Sequence, residues 1–410
     1  MTALAYAWER LPLIALFAGS YVVYRLSAAT LATDAIVWWG LRKARGRATR
    51  VFFYLIAGTA ALSFFLPNAV AVLAVLPVLK VLQADFADQG ADPRQATTVL
   101  TLSVIYGANI GGLGSLLGSP ANLLLVAALD FLKVPGREQL TFASWFAWSL
   151  PLVAVFVLAG WLVAGWLAAP RALRSIRLPA PPRSCSRATR RQMAALKLGG
   201  AYLGVSVLLS LAAELGLLPG AAQQILALAA LGGLVWLACV RTDGGEPALL
   251  PWPAFGQGLP LRGLAMIGVV TALALAVEAT PAGELLAAAA GRLDLAGLPP
   301  VLLYLVLCLA AIFLSEPLSN TLVATLLFGL AFAAATAEGL APLPLLVAIS
   351  AASNCAFMTP IATPSSALAF GEMRGTRLRV MLGCGLVLNL FGALILSLWL
   401  PLALPLLYGR

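Results

Sequence analysis

The chain contains no histidine, little charge and no closely spaced cysteines. Without imidazole there is no histidine metal site, histidine general base or histidine proton relay. The five cysteines, Cys185, Cys239, Cys308, Cys355 and Cys384, are scattered with no CxxC spacing. They read as small packing residues, and neither a disulfide nor a metal centre is expected. Also missing are a Ser/His/Asp or Cys/His set, a phosphate-cradling loop followed by Lys, and paired acids on one helix face. Catalysis therefore finds no support, and no cofactor is expected. Met1 to Pro12 carries Glu9 and Arg10 and no basic region ahead of an apolar core, so a cleaved signal peptide is not expected.

What is abundant is apolar. Of 410 residues, 61% are hydrophobic and 10% charged, with a mean hydropathy of +0.97. Soluble domains are about half apolar and about a quarter charged, so the fold class is an all-α polytopic membrane protein. The formal net charge is +10. The basic residues sit in short loops between apolar spans, which is the pattern of positive-inside bias, and no nucleic-acid partner is expected. The lipid bilayer is the expected environment, and the inner (plasma) membrane of a bacterium the expected location.

The strongest boundary is a basic linker at 171–193, with Arg174, Arg177, Arg183, Arg187, Arg190 and Arg191 among Pro179, Pro181 and Pro182. It separates an N-terminal repeat, 1–170, from a C-terminal repeat, 194–410. The first holds a helical hairpin at 51–83 and a broken helix at 96–132. The second holds scaffold helices at 194–240, a hairpin at 299–337, a broken helix at 342–371 and a last helix at 378–408. Apolar and Gly-bounded segments at 264–279 and 283–291 precede the second hairpin. The hairpin arms are roughly 14–16 residues, short against the about 20 that a span needs, so hairpins that enter and return from one face fit better. The Arg-rich loops at 42–50 and 171–193 belong on the cytoplasmic side, with the C-terminus periplasmic. The two repeats are then inverted, and their hairpin tips approach each other near the midplane.

Four polar elements interrupt the apolar background: the tip at Asn68, the break Gly118-Ser119-Pro120-Ala121-Asn122, the tip Ser319-Asn320-Thr321, and the break Thr363-Pro364-Ser365-Ser366. Broken helix at membrane depth is tolerated only where it is buried in protein or lines a cavity. Half-helix N-termini suit an anion, and freed carbonyls with Asn, Ser or Thr oxygens suit a sodium ion. Close helix packing of small residues is an equal account of Gly107 to Gly114 taken alone, and an interhelical hydrogen bond is an equal account of Asn68. Neither explains all four elements. Glu316, just before the second tip, is either a coupling acid or a cap of the hairpin turn near water. Asp85, Asp88 and Asp92 lack the spacing of a calcium loop and read as solvated.

At these residues the chain resembles the divalent anion–sodium symporter family, within a wider ion-transporter group that includes citrate carriers and arsenite permeases. The resemblance rests on Tyr106-Gly-Ala-Asn-Ile-Gly-Gly-Leu-Gly-Ser-Leu-Leu-Gly-Ser-Pro-Ala-Asn122, on Ser319-Asn-Thr321 and on Cys355-Ala-Phe-Met-Thr-Pro-Ile-Ala-Thr-Pro364. It implies an elevator-type secondary transporter, a homodimer, that moves a small anion (a di- or tricarboxylate, or sulfate) with sodium as coupling ion. It further implies Asn68, Ser119, Pro120, Asn122, Asn320, Thr321, Thr363 and Pro364 as substrate-binding residues. Asn68, Gly112, Ser319, Asn320 and Ala362 are implied at the cations. The first tip departs from the family's Ser-Asn-Thr: Pro67-Asn68-Ala69 lacks both hydroxyls. Within the same architecture a proton-coupled or uncoupled oxyanion permease, or a cation/proton antiporter using Glu316, are the alternatives. A membrane-embedded structural subunit is the alternative from another class.

Overall fold

The computed structural model describes residues 8, 11–32, 35, 42–116, 118–178, 188–214, 217–218, 221–240, 248–255 and 297–408. The expected segments at 264–279 and 283–291, most of the linker (179–187) and Leu117 lie outside the described residues. No strand occurs among the described residues; a single antiparallel bridge pairs Arg47 with Arg177.

The chain divides into two compact units. The first comprises Met1–Arg45, Thr141–Ala143 and Pro179–Leu259. It contains α1 (Leu11–Thr30) and two further helices, α8 (Arg190–Glu214) and α9 (Ala222–Val235), which continues as a π-helix to Val240. These three pack on one another, and the Tyr202 hydroxyl donates to the Ala15 carbonyl at 2.6 Å.

The second unit, Gly46–Leu140, Ser144–Leu178 and Pro260–Arg410, carries all four polar elements. In chain order it contains α2 (Ala48–Ser63), α3 (Asn68–Asp88), α4 (Pro93–Leu113), α5 (Pro120–Phe131) and α6 (Phe142–Leu162). A π-helix (Val163–Ala168) prolongs α6, and the short α7 (Arg171–Ser175) follows. After the first unit's α8 and α9 come α10 (Pro300–Ser315), α11 (Asn320–Ala337), α12 (Pro342–Ser353), α13 (Pro364–Glu372) and α14 (Leu378–Tyr408). The same order of parts thus occurs twice: two helices joined by a short tip, two helices separated by an unwound stretch, and a long helix.

Local chemistry sets the boundaries. Proline stands in the first turn of α4, α5, α10, α12 and α13, where its missing N–H costs nothing. Asp92, Ser119, Ser319 and Thr363 cap α4, α5, α11 and α13 by accepting backbone N–H bonds. Asp92 also accepts from Arg377 at 2.8 Å, so it is an engaged cap rather than a merely solvated acid. The second arms are longer than expected. α11 has 18 residues, and α3 has 21 with a 45° bend between Leu76 and Val78. The intervening proline lacks the N–H that would continue the helix ladder, so α3 bends there.

Six of the described helices are long and apolar enough to cross a bilayer: Pro93–Leu113, Phe142–Ala168, Arg190–Leu209, Ala222–Val240, Asn320–Ala337 and Leu378–Tyr408. Burial sorts those of the second unit. Every residue of α4 from Ala96 to Leu113 is buried, as is all of α12. In contrast, α14 exposes Leu386, Leu390, Leu394, Leu398, Leu402 and Leu406 at four-residue spacing, the stripe of a lipid-facing helix. Two closed central helices, each ending in an unwound stretch, are thus surrounded by greasy ones.

Candidate functional site

The first break occupies 114–119, between α4 and α5. A helix end leaves carbonyls without partners, and a buried one must find them elsewhere. Here side chains supply them. Trp145 Nε1 donates to the Leu113 carbonyl at 3.0 Å and Ser149 Oγ to that of Gly114 at 2.9 Å. Asn122 Nδ2 donates to the carbonyls of Gly112 (2.8 Å) and Ser115 (2.7 Å). Ser115 Oγ donates to the Phe64 carbonyl in the first tip and accepts from Gly118 N. The freed carbonyls at 112–115 are therefore already engaged, and the break is a braced structure.

The second break runs from Asn354 to Thr363 and is held from two sides. Glu316, at the end of α10, is buried and sends its carboxylate into the unwound stretch. Its Oε1 accepts from Met358 N at 2.8 Å and Oε2 from Thr359 N at 2.8 Å. Asn389 of α14 donates to the same Oε1 at 2.7 Å and accepts from Phe357 N at 3.1 Å. Thr359 Oγ1 closes the ring by donating to the Glu316 carbonyl at 2.6 Å. Of the two roles open to this acid, a cap near water does not match the burial; the carboxylate clasps the unwound backbone.

The breaks are also joined to each other, reciprocally. Asn122 Oδ1 accepts from Ser350 Oγ and from Asn354 Nδ2, both at 2.9 Å. Asn109 of α4 answers from the other side. Its Nδ2 donates to the Ala356 carbonyl at 2.8 Å, and its Oδ1 accepts from Ser365 Oγ at 3.2 Å. Asn122 thereby has both N–H groups and both acceptor positions in use.

The tips carry the less satisfied oxygens. At the first, one amide position of Asn68 lies 2.6 Å from Ser63 Oγ, 3.1 Å from the Ala108 carbonyl and 2.6 Å from the Gly118 carbonyl. A nitrogen there has all three as acceptors within reach of its two N–H groups. An oxygen there makes a cluster of four hard oxygens, which is the donor set of an alkali cation. Both hydroxyls are missing from Pro67-Asn68-Ala69, and the Ser63 hydroxyl, five residues earlier, stands against the amide instead. At the second tip, Ser319 caps α11, accepting from Leu322 N at 3.2 Å. Among the described residues Asn320 Oδ1 and Ser315 Oγ are buried with no partner, and so is Asn354 Oδ1 beside the second break. Orphaned oxygens of this kind are rare in a finished core and make these places candidates for a ligand.

Glycine makes room for this geometry. A Cβ on Gly112 would lie 2.6 Å from the Asn68 amide oxygen. Gly107 and Gly111, one turn apart, instead let α4 lie against the α2 backbone at Ile56 and Ala60, so helix packing accounts for those two.

The expected residues Asn68, Gly112, Ser119, Pro120 and Asn122 thus gather around the first break. Ser319, Asn320 and Thr321 form the second tip, and Ala362, Thr363 and Pro364 lead into α13. Ser63, Asn109, Ser315, Ser350, Asn354 and Asn389 were missed. Asn109 lies inside the Gly-rich run from Tyr106 to Asn122; each of the others sits in a regular helix or at its end, where nothing local distinguishes it from an ordinary small or polar packing residue.

Residues 1–242 match the model of a citrate transporter family, CitMHS. The chain belongs to that family. Similar proteins include the sodium-dependent dicarboxylate transporter SdcS of Staphylococcus saprophyticus, 24% identical over 371 residues, covering 87% of this chain and 69% of that protein. SdcS of Staphylococcus aureus strain NCTC 8325 is 24% identical over 397 residues, covering 88% and 70%. Family and relatives are transporters, not enzymes, in accord with the missing catalytic sets, and the resemblance read from the motifs stands.

Proposed function

We propose that this protein is a sodium-coupled secondary transporter of a small di- or tricarboxylate, built from two inverted repeats and working by alternating access of the elevator type. One observation carries the proposal. One tip built around the buried Asn68 amide and one bearing buried oxygens without a partner among the described residues lie in the same compact unit as two unwound stretches that are locked to each other by Asn122–Asn354 and Asn109–Ser365. Such a unit can move as one body without disturbing the site it carries. Family membership and the names of the relatives agree in substrate chemistry, an anionic carboxylate.

In this mechanism the first sodium ion binds against Asn68 Oδ1, Ser63 Oγ and the Ala108 and Gly118 carbonyls. The second binds against Asn320 Oδ1 and Ser315 Oγ near Ala362. The substrate carboxylates meet the N-termini of α5 and α13, at Ser119-Pro120 and Thr363-Pro364, and Thr321 at the tip, where N–H groups and the positive dipole end favour an anion. Asn122 serves as a brace between the breaks, and Glu316 as the group that positions the second unwound stretch. Sodium binding orders the tips before substrate arrives. The protein works in the inner membrane of a bacterium as a homodimer, with the 171–193 linker cytoplasmic and the C-terminus periplasmic.

Uptake of labelled succinate and citrate into proteoliposomes tests this directly. An inward sodium gradient should drive accumulation of at least one of them, and replacing sodium with choline should abolish it. Accumulation unchanged in choline would instead favour the proton-coupled or uncoupled alternative, and no accumulation of either acid would overturn the proposal.

A further inference from the structure

Two loops of the second unit bring together arginines that no carboxylate among the described residues answers. Arg47 and Arg177 face each other across the antiparallel bridge, which is closed by Leu178 N donating to the Gly46 carbonyl at 2.8 Å. Arg50 follows in the first turn of α2, and Arg171 and Arg174 lie on α7 just before the bridge. Among the described residues the ion pairs are made elsewhere, by Lys80, Arg137 and Arg377. Like charges directly opposite each other on paired strands are destabilising. A cluster of five cations about one bridge therefore calls for an anion.

The surroundings say which kind. The Arg174 guanidinium lies over the Trp166 ring, 4.9 Å from its centroid, while its Nε is buried without an acceptor. Trp166 ends the long apolar α6 and is about half exposed, as are Leu162 and Leu167 beside it. Trp161 donates its indole N–H to the Thr49 carbonyl at 2.8 Å, tying the end of α6 to the start of α2. Tryptophan with arginine at the end of an apolar span is the chemistry of the membrane–water boundary. A dissolved anion would not need the exposed apolar surface that adjoins the arginines here. A phospholipid needs both.

We propose that Arg47, Arg174 and Arg177 form a binding site for the phosphodiester of an anionic phospholipid, its acyl chains lying along Trp166, Leu162 and Leu167. Arg50 and Arg171 extend the positive rim. Guanidinium groups match phosphate oxygens in a forked geometry that lysine does not reproduce. The bound phosphate would lie between Arg47 and Arg177 and screen their repulsion.

Delipidated protein in detergent, given dioleoylphosphatidylglycerol, dioleoylphosphatidylcholine or inorganic phosphate, tests the site by native mass spectrometry and thermal midpoint. Phosphatidylglycerol alone should remain bound and raise the midpoint. In Arg47→Gln/Arg177→Gln the apparent affinity for it should fall roughly tenfold or more, as expected for two headgroup contacts removed. Arg47→Lys/Arg177→Lys should keep the charge and lose part of the affinity. If the double glutamine variant does not fold, Arg174→Gln takes its place in the same measurement. Equal retention of phosphatidylcholine, stabilisation by phosphate alone, or undiminished phosphatidylglycerol binding in the glutamine variants would each overturn the site.

Discussion

Asn68 is the residue on which the proposed first cation site turns. Its amide can present nitrogen or oxygen to the same three neighbours, and only the second orientation is a cation ligand. Gly112 leaves the space this amide occupies, so Gly112→Ala is the cleanest perturbation. A methyl at 2.6 Å forces the amide to shift, an overpacking cost of about 1–3 kcal/mol. The sodium concentration for half-maximal uptake should rise roughly tenfold or more, the equivalent of about 1.4 kcal/mol. An unchanged sodium dependence in Gly112→Ala would remove Asn68 from the cation site. Glu316 makes a second residue-scale case. Three donors, Met358 N, Thr359 N and Asn389 Nδ2, face its two oxygens. A glutamine amide at that place would turn one N–H group against another, leaving a buried donor unsatisfied at about 1–3 kcal/mol. Glu316→Gln should therefore lower the thermal midpoint and abolish uptake at every pH. Transport that survives with only its pH dependence altered would instead point to a coupling acid.

At the scale of elements, the two broken helices behave as one object because each supplies what the other lacks. α5 gives Asn122 to Ser350 and Asn354 of α12, and α4 gives Asn109 to the second break and to α13. Asn122→Ala would strand the Gly112 and Ser115 carbonyls and the Ser350 and Asn354 donors at once. Hydrogen exchange at 350–366 should then speed up, although the substitution lies more than 200 residues away in the chain. Unaltered protection there would mean that the breaks are independent. The hairpin arms were recognisable from their apolar runs, and the tips from Pro67-Asn68 and Ser319-Asn-Thr. Arm length was not. The expectation of short arms overlooked that α3 runs on through Gln83 to Asp88, because a helix continues wherever its N–H groups find partners, whatever the polarity of the residues.

For the whole molecule, a chain 61% hydrophobic with 10% charge had to be a helical membrane protein, because lipid leaves backbone groups no partner outside a helix or a closed barrel. Four polar interruptions in apolar helices single out the candidate site, because unwound backbone at membrane depth needs protein or a cavity around it. Those conclusions follow from composition and from chain order alone. Which oxygens are free is a different matter, since satisfaction of a hydrogen-bonding group depends on neighbours far away in sequence. Freed carbonyls at a helix break suit a cation on sequence grounds, yet Trp145, Ser149 and Asn122 already donate to those at 112–115. For Glu316, two roles are open from the sequence, and only folding brings the backbone N–H groups of 358 and 359 against its carboxylate. The same holds for Ser63 and Ser315, inconspicuous at helix ends until folding sets one beside the Asn68 amide and leaves the other buried without a partner. Sequence alone determined the solvent, the secondary structure and the location of the breaks, because each is a property of a short stretch of chain. Tertiary structure alone decided which atoms hold the breaks together and which remain for a ligand, because that is set by contacts between residues 7 to 256 positions apart.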